Sequence, residues 1–217
     1  MHKSAPLCLL ISGLTLTACN NGGTPTPPLK TDFVQPTAIE GTVQLITASN
    51  TATVHLRTKD GLTTVSSAPI KAVNSQYTFS LPLPSAALTS KLESISVTSL
   101  YQQIISGGDC TGTIQVDDLV AKIYVLSGLE LVDGTTVTNL LSITVSSLGE
   151  SSERSLNSWV YSLSNVTMTG TQSCPDGKNN IANIHFKPGW NAFQFSSGKN
   201  GGIYQSVDPT KTVWRQF

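Results

Sequence analysis

The stretch Tyr77-Thr78-Phe79-Ser80-Leu81-Pro82-Leu83 alternates apolar and polar residues without a break. A period of two is the spacing of a β-strand with one buried face, and a helix cannot use it. Tyr77, Phe79, Leu81 and Leu83 should therefore face a core, while Pro82 and Pro84 end the strand or hold it at a sheet edge. No helical period is sustained over 11 or more residues, although 85–92 has room for one or two helical turns. Charged residues make up only 12% of the chain, about half the usual share. Ser and Thr fill the polar positions instead, which suits strands.

Further strand candidates follow the same logic. Val43, Leu45, Val54, Leu56 and Ile70 sit in short segments with small polar residues between them. Residues 92–105, 112–116, 119–126, 137–145 and 158–169 read as strands, and 181–186 reads as pairing with 191–195 across a turn. Lys59-Asp60-Gly61 and Asp133-Gly134 carry the Asp-Gly hairpin signal. Asn74-Ser75-Gln76, Gly107-Gly108 and Asp117-Asp118 read as turns or breaks, and 149–155 as a loop. This spacing predicts an all-β fold, an antiparallel β-sandwich. It is either one extended sandwich or two small β-domains, a sandwich-like region over 37–106 and a second β-rich region over 107–217.

The N-terminus reads differently. Met1-His2-Lys3 is a basic start, and Leu7 to Leu16 is an apolar run broken only by Ser12, Gly13 and Thr15. The run falls short of the roughly 20 residues that span a bilayer, so it reads as a secretory signal. Its exit, Leu16-Thr17-Ala18-Cys19, resembles the bacterial lipobox: an aliphatic residue, two small residues, then a cysteine. The resemblance implies that 1–18 is a lipoprotein signal peptide and that Cys19 becomes the new N-terminus. There it carries a thioether-linked diacylglycerol and usually a further acyl chain such as palmitate. An ordinary signal peptide with a chance cysteine after Ala18 is the alternative. The polar, Gly/Pro-rich run from Asn20 to Pro28 argues against it. Such a run cannot pack a core, and it suits a tether, read over 19–36, that holds a body away from a membrane. Asn20 leaves the choice of inner or outer membrane open.

Two further resemblances concern the body. Ile39-Glu40-Gly41-Thr42-Val43, Thr53-Val54-His55-Leu56 and Tyr77-Thr78-Phe79 resemble the start of a transthyretin-like or carboxypeptidase-regulatory β-sandwich. That family is usually non-catalytic. Tyr161, Asn165 to Thr171 and Phe186-Lys187-Pro188-Gly189-Trp190-Asn191 resemble a pattern of uncharacterised bacterial lipoproteins, in which an apolar strand closes on Lys-x-Gly-Trp-Asn. It implies a β-rich envelope lipoprotein and no particular activity. Physically, Pro188 presets φ for a turn and Gly189 permits the positive φ that a type II turn needs next.

Four cysteines are present. Cys8 leaves with the signal and Cys19 is lipidated on this reading. Cys110 and Cys174 then pair most simply as a disulfide in an oxidising compartment. A metal site is the alternative, but no C-x-x-C spacing exists, and only His55 and His185 lie beyond the signal. No metal or other cofactor is expected.

The chain has 13 basic and 13 acidic residues. Lys3 is the only charge in the signal, so the remaining 199 residues carry a net charge of −1. Bulk charge does not recruit nucleic acid. There is no G-x-S-x-G elbow, H-E-x-x-H, P-loop or G-x-G-x-x-G. No catalytic residue is assigned. A hydrolase would have to use His55 or His185, each between apolar neighbours and so expected to point to the opposite, solvent side of its strand. Asp176-Gly177-Lys178-Asn179-Asn180 superficially resembles a calcium loop but lacks the alternating ligands and final Glu of an EF-hand. Trp190, Trp214 and Tyr204 are the candidate ligand-binding residues, as exposed rings for a glycan or small molecule. Trp159, Trp190 and Trp214 lack a clustered spacing, which favours core positions. The reading is a lipid-anchored protein of the bacterial cell envelope, outside the cytoplasm, acting as a non-enzymatic structural or interaction module. Its partners are the membrane through Cys19 and an envelope protein. A glycan- or small-ligand-binding lipoprotein is the alternative, and a hydrolase the third reading.

Overall fold

The computed structural model describes residues 30–44, 48–49, 51–73, 76–105, 110–126, 128–148 and 151–216. The signal, Cys19, the tether as far as residue 29, Leu45, Asn74-Ser75, Gly107-Gly108 and Gly149 lie outside the described residues.

Two curled sheets pack on each other. The first runs β3 (Thr64–Pro69), β2 (Thr53–Arg57), β9 (Gly128–Asp133), β10 (Thr136–Leu141), β17 (Thr212–Gln216), β1 (Ala38–Gln44), β5 (Gln76–Pro82) and β4 (Lys71–Val73). The second runs β6 (Ser94–Ser96), β8 (Lys122–Leu126), β12 (Ser151–Ser162), β15 (Gly189–Gly198), β16 (Gly201–Val207), β14 (Asn179–Phe186), β13 (Val166–Ser173) and β7 (Thr111–Val116). A ninth strand, β11 (Ile143–Leu148), pairs with β12. Helix α1 (Ala86–Thr89) and helix α2 (Val97–Ile104) lie between β5 and β7 in the chain. Both sheets draw strands from either side of residue 107.

The alternation that predicted β5 is realised: Phe79 and Leu81 are buried, and Tyr77 and Leu83 pack against the same core. That core joins the sheets. Ile39, Val54, Leu131, Leu140 and Trp214 of the first sheet meet Leu126, Trp159 and Trp190 of the second. The second sheet is covered on its other face too. There Val160, Ile184, Phe186 and Phe193 pack with Val97, Leu100 and Ile104 of α2. Successive residues of β12 serve the two faces, Trp159 one and Val160 the other.

Both Asp-Gly turns form. Gly61 and Gly134 have φ of 72° and 61°, and Asp133 pairs with Thr136 across a two-residue loop. The Cys110–Cys174 disulfide is closed. It extends the β7–β13 ladder one step beyond the Thr111–Ser173 pair and staples β7, the last strand of its sheet, to its neighbour.

Several expectations are corrected. The sandwich is not purely antiparallel: β1 runs parallel to β17, and β14 parallel to β16. Strands 181–186 and 191–195 do not pair, because β16 lies between them. Lys187 and Pro188 instead carry the chain over the end of β16. Asn191 holds that crossing, its Oδ1 accepting from the Lys187 amide at 2.9 Å and its Nδ2 donating to the Lys187 and Gly189 carbonyls at 2.8 and 2.9 Å.

Residues 92–105 hold only the short β6 before turning into α2. Ser96 caps this helix, accepting from the Ser99 amide at 3.1 Å, and Val97, Leu100 and Ile104 form its buried stripe. Strand 119–126 begins only at Lys122, since Asp118 Oδ1 takes the amides of Val120 and Ala121 at 3.2 and 3.0 Å. That side chain competes successfully with the ladder. The expected strand 137–145 breaks at buried Ser142, where the chain passes from the first sheet to the second, and the Asn157 amide donates to the Ser142 carbonyl at 3.0 Å. The expected strand 158–169 is two strands with a turn at 163–165, and 151–155, expected as loop, opens β12.

The tether expectation changes at its end. Residues 30–36 are strapped to the body. Lys30 pairs with Asp208, Lys187 pairs with Asp32, the Val34 amide donates to Asp208 at 3.0 Å and Gln35 Nε2 donates to the Pro188 carbonyl at 2.8 Å.

Candidate functional site

The sequence offered three tyrosine or tryptophan candidates, and the structure separates them. Trp214 is fully buried and Trp190 is 8% exposed. Both are core residues, so the exposed-ring reading is corrected for each. Trp190 donates from Nε1 to the Pro84 carbonyl at 2.9 Å, which ties the β14–β15 crossing to the exit of β5. The physical reason is size: a tryptophan on a face already covered by the opposite sheet fills that space rather than leaving it.

Tyr204 is different. Its ring stacks on Phe195 of the neighbouring strand, with centroids 4.6 Å apart and planes 26° apart. Gly202, two residues earlier on the same face, makes room: a Cβ there would stand 3.1 Å from the Tyr204 ring and 3.3 Å from that of Phe195. The pair forms one wall of a cleft of about 390 Å³ between α2 and the second sheet. Ile95, Leu100, Ile123, Val125 and Phe193 are among the apolar residues of the remaining lining. Glu93, Gln103, Ser158 and the Tyr204 hydroxyl are its polar groups. The hydroxyl donates to the Gln103 carbonyl at 3.5 Å, and burial raises its pKa above the ordinary tyrosine value. An apolar cleft with a few polar groups suits an apolar molecule with one polar end better than a sugar. Sequence reasoning missed Phe195 and α2. The signal lay in Val97, Leu100 and Ile104, three residues at helical spacing in a segment too short to stand out.

The histidines do point away from the core, as alternation required. His55 lies between buried Val54 and Leu56. Its imidazole meets the Thr53 hydroxyl at 2.7 Å and the Thr64 hydroxyl at 3.4 Å, beside the Arg57–Glu130 ion pair. His185 lies between buried Ile184 and Phe186. Its Nε2 meets Asn183 Oδ1 at 3.0 Å, and Phe33 of the strap stacks on its ring at 6.4 Å. Burial lowers the pKa of both imidazoles; Arg57 adds to the effect at His55, and Asp117 opposes it at His185. The ring partners are hydroxyls and a side-chain amide, and among the described residues no carboxylate is hydrogen-bonded to either ring as the orienting group of a triad would be.

Residues 176–178 form a polar turn, and Asn179 and Asn180 open β14. Lys178 donates to Asp176 from its amide at 3.1 Å and from Nζ at 2.6 Å, so the carboxylate already has a cation. Among the described residues no group of three or more His, Cys, Asp or Glu side chains could hold a metal ion. No described helix is long and apolar enough to cross a membrane.

A scan of protein-family models, a search of curated proteins and a search of solved structures each found no match to this chain.

Proposed function

We propose that this chain is a lipid-anchored protein of the bacterial cell envelope, held outside the cytoplasm through Cys19 and working as a non-enzymatic interaction module. The observation that carries the reading is the Cys110–Cys174 disulfide, which fits a chain that matures in an oxidising compartment. The Leu16-Thr17-Ala18-Cys19 sequence and the polar run after it supply the anchor. Metabolic labelling with an alkyne analogue of palmitate tests it. Label should enter the full chain and be lost in Cys19→Ser. Equal labelling of both, or of neither, sinks the anchor. Crosslinking of intact envelopes then tests for a protein partner: one dominant partner, lost when 37–217 is deleted and the anchor kept, supports the interaction role.

A second reading is favoured by the cleft beside Tyr204: a lipoprotein that binds a small apolar ligand. An environment-sensitive apolar dye should bind the full chain and be displaced by a fatty acid. Binding should weaken in Leu100→Asp, which puts a charge into the cleft wall. Dye binding unchanged by that substitution would place the ligand elsewhere.

A further inference from the structure

One end of the second sheet gathers four connections. The registers of β7, β8, β12, β13, β14, β15 and β16 bring together the β7–β8 loop, the 163–165 turn, the Lys187-Pro188 crossing and the loop of Asp208 to Lys211. The strap 30–36 lies on this same end. Leu119 and Val120 stand on the first of these loops, 43% and 85% exposed, and Leu163 on the second, 59% exposed. Their loops are joined directly, Ser164 Oγ donating to Asp118 Oδ2 at 3.5 Å. Val34 of the strap, 64% exposed, is a fourth apolar side chain at this end. Polar residues were available for loop tips, as the Ser/Thr-rich composition shows, yet these tips are apolar. The Asp118 carboxylate is turned inward onto two backbone amides, which leaves Leu119 and Val120 as the projecting groups.

We propose that this end of the body is a lipid-contact surface, with Leu119, Val120 and Leu163 dipping into the interfacial layer of the membrane to which Cys19 is anchored. The inference rests on the anchored reading above. Its occupant follows from where the described chain begins. Lys30 is held to Asp208 on this end, and Cys19 is 11 residues earlier. Even fully extended, that length reaches at most about 40 Å. The acyl chains are therefore tied to the body at this end. Charge does not drive the contact: Lys30, Lys122, Lys187 and Lys211 are matched by Asp32, Asp117, Asp118 and Asp208, and three of the lysines are in ion pairs, Lys30 with Asp208, Lys187 with Asp32 and Lys211 with Glu40. The surface is thus apolar tips in a neutral setting, which does not require anionic lipid.

The test uses full-length acylated protein in phosphatidylcholine vesicles carrying brominated acyl chains. Val120→Trp and Leu163→Trp report on this end. Leu62→Trp is the control: position 62 is 81% exposed, on the β2–β3 loop, at the far end of the first sheet by the His55–Glu130, Gly128–Leu141 and Leu141–Arg215 pairs. The expected result is bromine quenching at 120 and 163 that exceeds that at 62 by roughly twofold or more, since interfacial side chains sit about 5–10 Å into the bilayer. Protein that floats with the vesicles but shows equal quenching at all three positions overturns the proposal and leaves the anchor standing. Protein that is not acylated and does not float overturns the anchor, and this inference with it.

Discussion

Trp159 of β12 and Trp214 of β17 lie ring on ring across the two sheets, centroids 5.5 Å apart and planes 17° apart. Among the described residues neither indole Nε1 has a hydrogen-bond partner, so the pair contributes through packing and carries a polar cost. Trp214→Ala should destabilise the fold by about 3–5 kcal/mol in urea denaturation followed by circular dichroism. Trp214→Phe should cost less, because it removes an unpartnered N–H along with the lost volume. Equal losses from the two substitutions would contradict this account.

Gly41 is the seat of that indole. A Cβ at this position would lie 2.6 Å from Trp214 Cδ1 and 2.8 Å from the Thr212 carbonyl oxygen. Gly41→Ala should therefore destabilise by about 1–3 kcal/mol through overpacking. Combined with Trp214→Phe it should cost less than the sum of the two single changes, which a double-mutant cycle on the same denaturation curves reads directly.

Reduction of Cys110–Cys174 releases a link between residues 64 apart in sequence. The chain-entropy model gives a loss of about 4 kcal/mol. Because the link staples β7, the end strand of its sheet, amide exchange over 111–116 should accelerate more on reduction than exchange over β15. Uniform acceleration would mean that the bond acts on global stability alone.

Acid should weaken the fold through its histidines. Burial holds the folded pKa of His185 and His55 below the ordinary 6.5. The unfolded chain then takes up protons first as pH falls, so their stabilising contribution is complete above 6.5 and is lost as pH drops toward the folded values. The melting temperature should fall between about pH 7.5 and about pH 5.5, and His185→Gln should flatten part of that slope. A melting temperature that rises over the same interval would reverse the assigned sign.

The sequence made the fold class legible where a strand has one wet face. In β5, and around His55 and His185, each residue's side follows from alternation alone. It was silent where one strand inserts between two others. Nothing in 181–195 announces that β16, which comes later in the chain, will separate β14 from β15, because strand order is decided by which faces bury most rather than by local pattern. The helix α2 was hidden for a related reason: eight residues hold only one apolar stripe, too brief to outweigh the β-like composition around it. At the candidate site, Tyr204 was visible as an aromatic residue, but its partner Phe195 and the cleft exist only through the β15–β16 register. The scattered spacing of the tryptophans favoured core positions, but it did not exclude Trp190 and Trp214 as exposed rings; only their burial does. The strap was not, because its ion pairs join residues more than 150 positions apart.

The position of β17 has a consequence for how the molecule is completed during synthesis. In the ladder of the first sheet, β3-β2-β9-β10 and β1-β5-β4 meet only through this strand, and it also delivers the indole that locks the sheets together. A ribosome makes the chain from its N-terminus, so the keystone arrives after every strand it must join. Until residues 212–216 are available, β10 and β1 have no strand between them, and Trp159 lacks the indole that stacks on it. A polypeptide built this way cannot close the ladder between β10 and β1 until residues 212–216 have been made.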